Sequence, residues 1–123
     1  MKIKLDPLDK LLSRYIRLKA EGKCEYCGKF VGYNRLQCSH FIGRRKRSTR
    51  YDPENACALD FSCHTFFQEH PYIHTEFFKK RLGSERFELL NARAEVISKV
   101  SKESKEKMKQ DLREKIEFLE DNG

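Results

Sequence analysis

Apolar residues recur at helical spacing near the start of the chain, where Leu8, Leu11, Leu12, Tyr15 and Ile16 fall on one face. Asp6-Pro7 stands just before them. Aspartate is a good N-cap and proline suits the first helical position, so a helix is predicted from here to a stop near Gly22. The pattern then changes. Short alternating pieces, Arg35–Ile42 and Ala56–Phe61, read as strands. Between them Gly43-Arg44-Arg45-Lys46-Arg47-Ser48-Thr49-Arg50 reads as a basic loop. A helix is expected from about His64, carrying Phe66 and Phe67 and ending near Pro71 or restarting after it. From Ser84 the chain reads as helix, with Phe87, Leu90, Ala94 and Ile97 on one face. Ser101–Lys107 has no apolar residue, and Ser101 or Ser104 is placed to cap a further helix with the stripe Met108, Leu112, Ile116 and Leu119. Glu103 with Lys107 and Asp111 with Lys115 are favourable i,i+4 pairs on it. That stripe packs either on the core or on a second copy of the chain, which would make a homodimer through the C-terminal helices.

Composition narrows the picture. The 123 residues suit one ordinary domain, but hydrophobic content is 38%, charged content 37%, and tryptophan is absent. So lean a core takes help from a metal or a partner. A formal charge of +7 favours a polyanionic partner, of which nucleic acid is the commonest. No stretch reaches the roughly 20 apolar residues of a membrane span. The opening MKIKLDPLDK lacks the apolar run of a signal peptide, so a cytoplasmic location with reduced thiols is expected.

All five cysteines lie between residues 24 and 63. Cys24 and Cys27 flank two residues and are followed by Gly28, a spacing that points two thiolates at one tetrahedral metal. Cys63 is the third candidate ligand. Asp60 and Cys57 compete for the fourth place. Strand alternation turns Cys57 away from the side that Asp60 uses, which favours Asp60.

Three further residues stand out in this stretch: His40, Asn55 and His64. A neutral imidazole can take a proton from water near pH 7, and its rate should then rise through the ordinary histidine range. A second imidazole at a helix start can hold a divalent metal. An asparagine can bridge two loops and orient the base. Arg44, Arg45, Lys46, Arg47 and Arg50 lie between His40 and Asn55 and are candidates for phosphate contacts without sequence readout. Lys79, Lys80, Arg81 and Arg86 extend that track.

Asn55, Asp60, Cys63 and His64 follow the spacing Asn-x4-Cys-x2-Cys-His of zinc-bearing HNH nucleases, apart from Asp60. The segment Cys24–Pro71 resembles an HNH endonuclease core, and within that group it is most similar to the phage NinG (Rap) recombination nucleases. The residues that carry this are Cys-x-x-Cys-Gly, Gln37-Cys38-Ser39-His40-Phe41-Ile42, Arg50-Tyr51-Asp52-Pro53-Glu54-Asn55 and Cys63, with a helical tail after Leu82-Gly83. The resemblance covers roughly two thirds of the chain or more. It implies His40 as general base, Asn55 as the central asparagine and His64 as ligand of a catalytic magnesium or manganese ion, distinct from the structural zinc. It also implies a phage or prophage protein in a bacterial host. Many HNH enzymes have aspartate or histidine just before the first histidine as a second ligand, where this chain has Ser39; the NinG group tends to have a small residue there. Gln68, one turn after His64, is placed to assist that metal, while His70 and His74 read as ordinary polar residues.

The expected architecture is α+β: a β-hairpin plus helix (ββα-metal) core with a zinc knuckle and flanking helices. Residues 1–23 form an N-terminal helix packed on the core, 24–80 the nuclease core and 81–123 a C-terminal helical extension. The expected activity is hydrolysis of DNA, branched DNA if the NinG resemblance extends to substrate. The rival classes are a non-catalytic zinc module that binds nucleic acid or protein, and a site-specific restriction or homing nuclease, for whose recognition domain this chain has little room.

Overall fold

The computed structural model describes residues 3–97 and 99–122. Helix α1 (Pro7–Lys19) starts where Asp6-Pro7 predicts. Asp6 accepts from the Asp9 N–H at 2.9 Å, and Asp9 accepts from the Asp6 N–H at 2.8 Å, a reciprocal capping box. Leu8, Leu12 and Ile16 are fully buried. Each such side chain contributes about 1.5–3 kcal/mol relative to exposure. Past the helix the chain turns through Glu21 and Gly22, both at positive φ. A side chain at Gly22 would also run into the Phe30 ring.

Strands β1 (Gln37–His40) and β2 (Ala56–Leu59) form an antiparallel pair in which Gln37 faces Leu59, Ser39 faces Cys57 and His40 faces Ala56. Both strands are shorter than the alternation suggests. Arg35 is taken into a 3-10 turn, Tyr33–Arg35, and Phe61 opens a helix. Between the strands the basic loop contains one helical turn, α2 (Arg47–Arg50), followed by the 3-10 turn Pro53–Asn55.

Helix α3 (Phe61–Glu69) begins three residues before the expected start, because Asp60 is its N-cap: the carboxylate accepts from the Cys63 N–H at 2.7 Å. Pro71 restarts the chain as α4 (Pro71–Leu82), with the proline in the first helical turn. Gly83, at φ 85°, separates it from α5 (Ser84–Ala94). Because α5 stops at Ala94, Ile97 does not join its apolar face and is fully exposed instead. Helix α6 (Lys102–Asn122) is capped by Ser101, whose hydroxyl accepts from the Ser104 N–H at 3.0 Å.

The hairpin is held between helices. Both α1 and α3 pack on it, and all four residues of β2 are fully buried. Helix α6 lies along α1, which covers Leu112 and Ile116 within the same chain. The Asp111–Lys115 pair forms at 2.9 Å, with the Lys115 ammonium over the Tyr15 ring of α1. One core cluster includes Leu8, Leu12 and Ile16, then Leu36, Leu59, Phe67 and Phe78, and Leu112 from α6. Thus the N-terminal helix and the C-terminal extension share a core with the central segment. Among the described residues no helix is long and apolar enough to cross a membrane.

Candidate metal centre and histidine site

The knuckle is a tight turn tied to the hairpin. Gly28 donates to the Cys24 carbonyl at 2.9 Å and stands at φ 78°, a conformation that favours glycine. Cys24 N–H returns to the Lys29 carbonyl at 3.0 Å. Glu25 ties the turn to β2 in both directions: its N–H donates to the Ala58 carbonyl, and its carboxylate accepts from the Ala58 N–H. In consequence Cys24, Cys27, Asp60 and Cys63 converge, with their ligand atoms all within 4.8 Å of one another. A tetrahedral site with thiolates about 2.3 Å from zinc has edges of about 3.8 Å. Only a small contraction separates this group from such a site, so the donor set fits zinc.

Asp60 has two roles there. One oxygen caps α3 and accepts from Ser62 and Cys63, while the other lies 3.4 Å from the Cys27 sulfur. Burial would raise its pKa, but those hydrogen bonds outweigh it and the carboxyl stays below its usual range. Burial and the neighbouring thiols of Cys24 and Cys27 push the Cys63 thiol up, so metal binding there must displace a proton. Cys57 stands outside the group; it is fully buried in β2, and burial raises its thiol strongly.

His40 and His64 are each oriented by a neutral partner. His40 Nε2 lies 2.9 Å from the Arg50 carbonyl. A carbonyl only accepts, so Nε2 carries the proton and Nδ1 is bare. That Nδ1 is buried with no hydrogen-bond partner. Burial, and then the Arg44 guanidinium, lower the His40 pKa to about 4. His64 Nδ1 lies 3.1 Å from the Ser39 hydroxyl, and the Gln68 side-chain nitrogen lies 3.4 Å from His64 Nε2. The amide donates, so Nδ1–H points to Ser39 and Nε2 keeps its lone pair. Ser39 therefore stands where the resemblance leads one to look for a metal ligand, but it orients the neighbouring imidazole instead. Burial and Arg44 lower the His64 pKa as well.

Asn55 is fully buried and holds both ends of the basic loop. Its oxygen accepts from the Ile42 N–H at 2.8 Å, and its amide donates to the Ile42 and Thr49 carbonyls at 2.8 and 3.0 Å. His74 is half-buried between rings, stacked on Phe67 at 4.6 Å and edge-on to Phe41 and Phe78.

The basic residues separate into two groups. Arg45, Lys46 and Arg47 are exposed, and with Lys99 they line a cavity of about 420 Å³ floored by Ala94, Val96 and Ile97. Arg50, expected among the DNA contacts, is committed elsewhere: it grips Asp9 through two nitrogens at 3.0 and 2.6 Å. Arg44 leans toward the same carboxylate at 3.9 Å. Of the proposed extension, Arg81 pairs with Glu25 at 3.3 Å and Arg86 pairs with Glu54, while Lys79 and Lys80 are exposed. Asp9 is a buried carboxylate beside this site that the sequence pattern does not single out. Its signal was a charge placed in line with Leu12 and Ile16 on the apolar face of α1.

At His64 the donors are one imidazole and one amide, and among the described residues no other group of three or more His, Cys, Asp or Glu comes together. Magnesium and manganese prefer oxygen ligands, so phosphate and water oxygens would have to complete that set. Comparisons with protein-family models, with curated proteins and with solved structures found no match to the chain.

Proposed function

We propose that this protein is a metal-dependent DNA endonuclease of the HNH (ββα-metal) type, with zinc in the knuckle. The observation that carries the reading is the state of His40. Its Nε2–H is held by a backbone carbonyl, and its Nδ1 is a bare, buried acceptor left without a partner. Buried polar atoms are nearly always paired, and an exception calls for an explanation, a catalytic role or a bound water among them; His74 Nε2 and Ser48 Oγ share this state, but of these His40 Nδ1 alone belongs to the His-Asn-His set. With its pKa lowered to about 4, the ring is neutral at physiological pH, the protonation state that a general base requires, and is a weaker base than a free histidine.

In this mechanism His40 Nδ1 takes a proton from water, and the resulting hydroxide attacks phosphorus in line with the leaving oxygen. The P–O3′ bond breaks, the leaving oxygen takes a proton from water and protonated His40 returns its proton to solvent, giving the 5′-phosphate and 3′-hydroxyl ends that the HNH resemblance implies. His64 Nε2 and Gln68, with its side-chain amide turned to present the oxygen, would hold a divalent cation, which would supply neutralisation of the charge growing on the phosphate and the leaving oxygen. Asn55 keeps the loop closed beneath this chemistry. Arg44, Arg45, Lys46 and Arg47 position the backbone of the DNA. Branched recombination intermediates are the proposed substrate, a choice that rests on the NinG resemblance.

Nicking assays on plain and branched DNA, with and without magnesium or manganese, test the reading. His40→Ala should cut the rate roughly a hundredfold or more while DNA binding survives. Cleavage by His40→Ala at the wild-type rate would remove the mechanism. A second reading has one observation in its favour: Ser39 offers no carboxylate or imidazole to a second metal. Wild-type protein that binds DNA but cleaves no form of it with any divalent ion would make the chain a zinc-containing nucleic-acid-binding module.

A further inference from the structure

Asp9 lies in a helix expected to be scaffold, yet it is only 4% exposed. A carboxylate removed from water needs strong partners. One is local, the Asp6 N–H at 2.8 Å. The others come from the far end of the basic loop. Arg50 donates to Asp9 through Nε at 3.0 Å and Nη2 at 2.6 Å, and Nη2 also reaches the Lys4 carbonyl at 3.0 Å. A fork on a carboxylate fixes direction as well as distance. The next residue is tied to the same helix end, since the Tyr51 hydroxyl donates to Asp6 at 2.6 Å. The residue held this way supplies the carbonyl that accepts from His40 Nε2 at 2.9 Å. An apolar contact could dock α1 on the loop equally well. It would not set the plane of the Arg50 peptide.

We propose that Asp9 is a positioning residue for His40: by fixing Arg50 it fixes the carbonyl that holds the imidazole in one tautomer and one orientation. The proposal rests on the reading of His40 as the base. It places part of the active-site machinery in the N-terminal helix, outside the segment that carries the nuclease motif.

The test uses the full zinc-bound chain and two variants. Asp9→Asn keeps the shape and an oxygen to accept from the Asp6 N–H but removes the charge. Arg50→Lys keeps the charge but removes the fork. Nitrogen chemical shifts of the His40 ring report its tautomer without any reference to activity. Wild type should show Nε2–H with a bare Nδ1, and both variants should lose that single state. Nicking kinetics should show kcat falling on the order of tenfold or more, with KM changed by less than about threefold. The double variant should be little worse than the worse single, because both act through one link. Folded variants with wild-type tautomer and rate would make the pair purely structural and overturn the proposal. If Asp9→Asn fails to fold, Arg50→Lys decides by the same readouts. Wild-type His40 found as the Nδ1–H tautomer, or as a mixture of both, overturns it whatever the variants do. The base reading fails separately, if His40→Ala cleaves normally while the tautomer still depends on Asp9.

Discussion

The metal knuckle and the histidine site meet at consecutive residues, Cys63 and His64 in the first turns of α3, but they are organised differently. At the knuckle four ligand side chains converge on one point, and what is needed to complete the site is the ion. At the histidine site no such convergence exists. Each imidazole has its N–H held by one neutral partner, the Arg50 carbonyl or the Ser39 hydroxyl; the other nitrogen is bare in His40 and accepts from the Gln68 amide in His64. On the proposed reading the first arrangement would tie the fold together around an ion, and the second would hold groups for action on a substrate. The difference teaches that ligand chemistry is written in residue types, whereas orientation is written in tertiary contacts.

The comparison breaks most visibly at the knuckle. Purified protein should carry about one tightly bound zinc per chain, and Cys24→Ser should lose both the metal and most of the fold, since structural zinc contributes on the order of 10 kcal/mol in small metal-dependent modules. Metal analysis with thermal melting checks this. Cys57→Ala, by contrast, should keep its zinc, because Cys57 lies outside the ligand group. A reducing preparation that is well folded without zinc would remove the distinction between the two ends.

A smaller effect is expected at Asn55. Asn55→Ala removes three hydrogen bonds and leaves the Ile42 N–H and carbonyl without their partner, while the Thr49 carbonyl keeps the Asp52 N–H at 3.2 Å. At about 1–3 kcal/mol for each of the two groups left unsatisfied, softened by water entering the gap, the loss should be about 2–4 kcal/mol. Urea denaturation measures it. Zinc content should not change, and protease cutting should concentrate in the loop 43–50. Loss of zinc from this variant would show that the two ends are one cooperative unit.

Much of this was legible in the sequence. Asp6-Pro7 places the first helix, the Cys-x-x-Cys-Gly turn places the knuckle, and the parity of β2 separates Cys57 from Asp60. Asp60 was harder, because one residue is both a candidate ligand and a helix cap, and the cap moves the start of α3 from His64 to Phe61. Arg50 reads locally as one more cation of a basic run. Its actual partner, Asp9, lies 41 residues away, and pairing over that distance leaves no trace in local periodicity. Ile97 keeps the helical spacing of Phe87, Leu90 and Ala94, but the helix stops first. The orienting carbonyl of Arg50 has no sequence signature at all, since every residue has one.

The last test sharpens the contrast through protons. An ordinary histidine titrates near 6.5, and the sequence alone leads one to expect a rate that rises through that range. In the fold, burial and then Arg44 hold His40 at about 4. The folded state therefore refuses a proton that the unfolded state accepts between those values. For a depressed pKa the associated stability is full above 6.5 and is lost as pH falls toward 4. Between pH 7 and pH 5 the loss should be about 2 kcal/mol. Burial lowers His64 and His74 too, so the total fall in wild type mixes several groups. Replacing His40 with glutamine isolates its share: the amide keeps a donor for the Arg50 carbonyl but does not titrate. The wild-type curve should then drop below that of His40→Gln by about 2 kcal/mol at pH 5, with the two parallel above pH 7. Urea denaturation at a series of pH values gives both curves. In cleavage assays the same shift means that no inflection near 6.5 should come from His40, because the base is already neutral there. Parallel stability curves down to pH 5 would mean that the imidazole is not held neutral by its surroundings, and the contrast between the two ends of the hairpin would lose its electrostatic half.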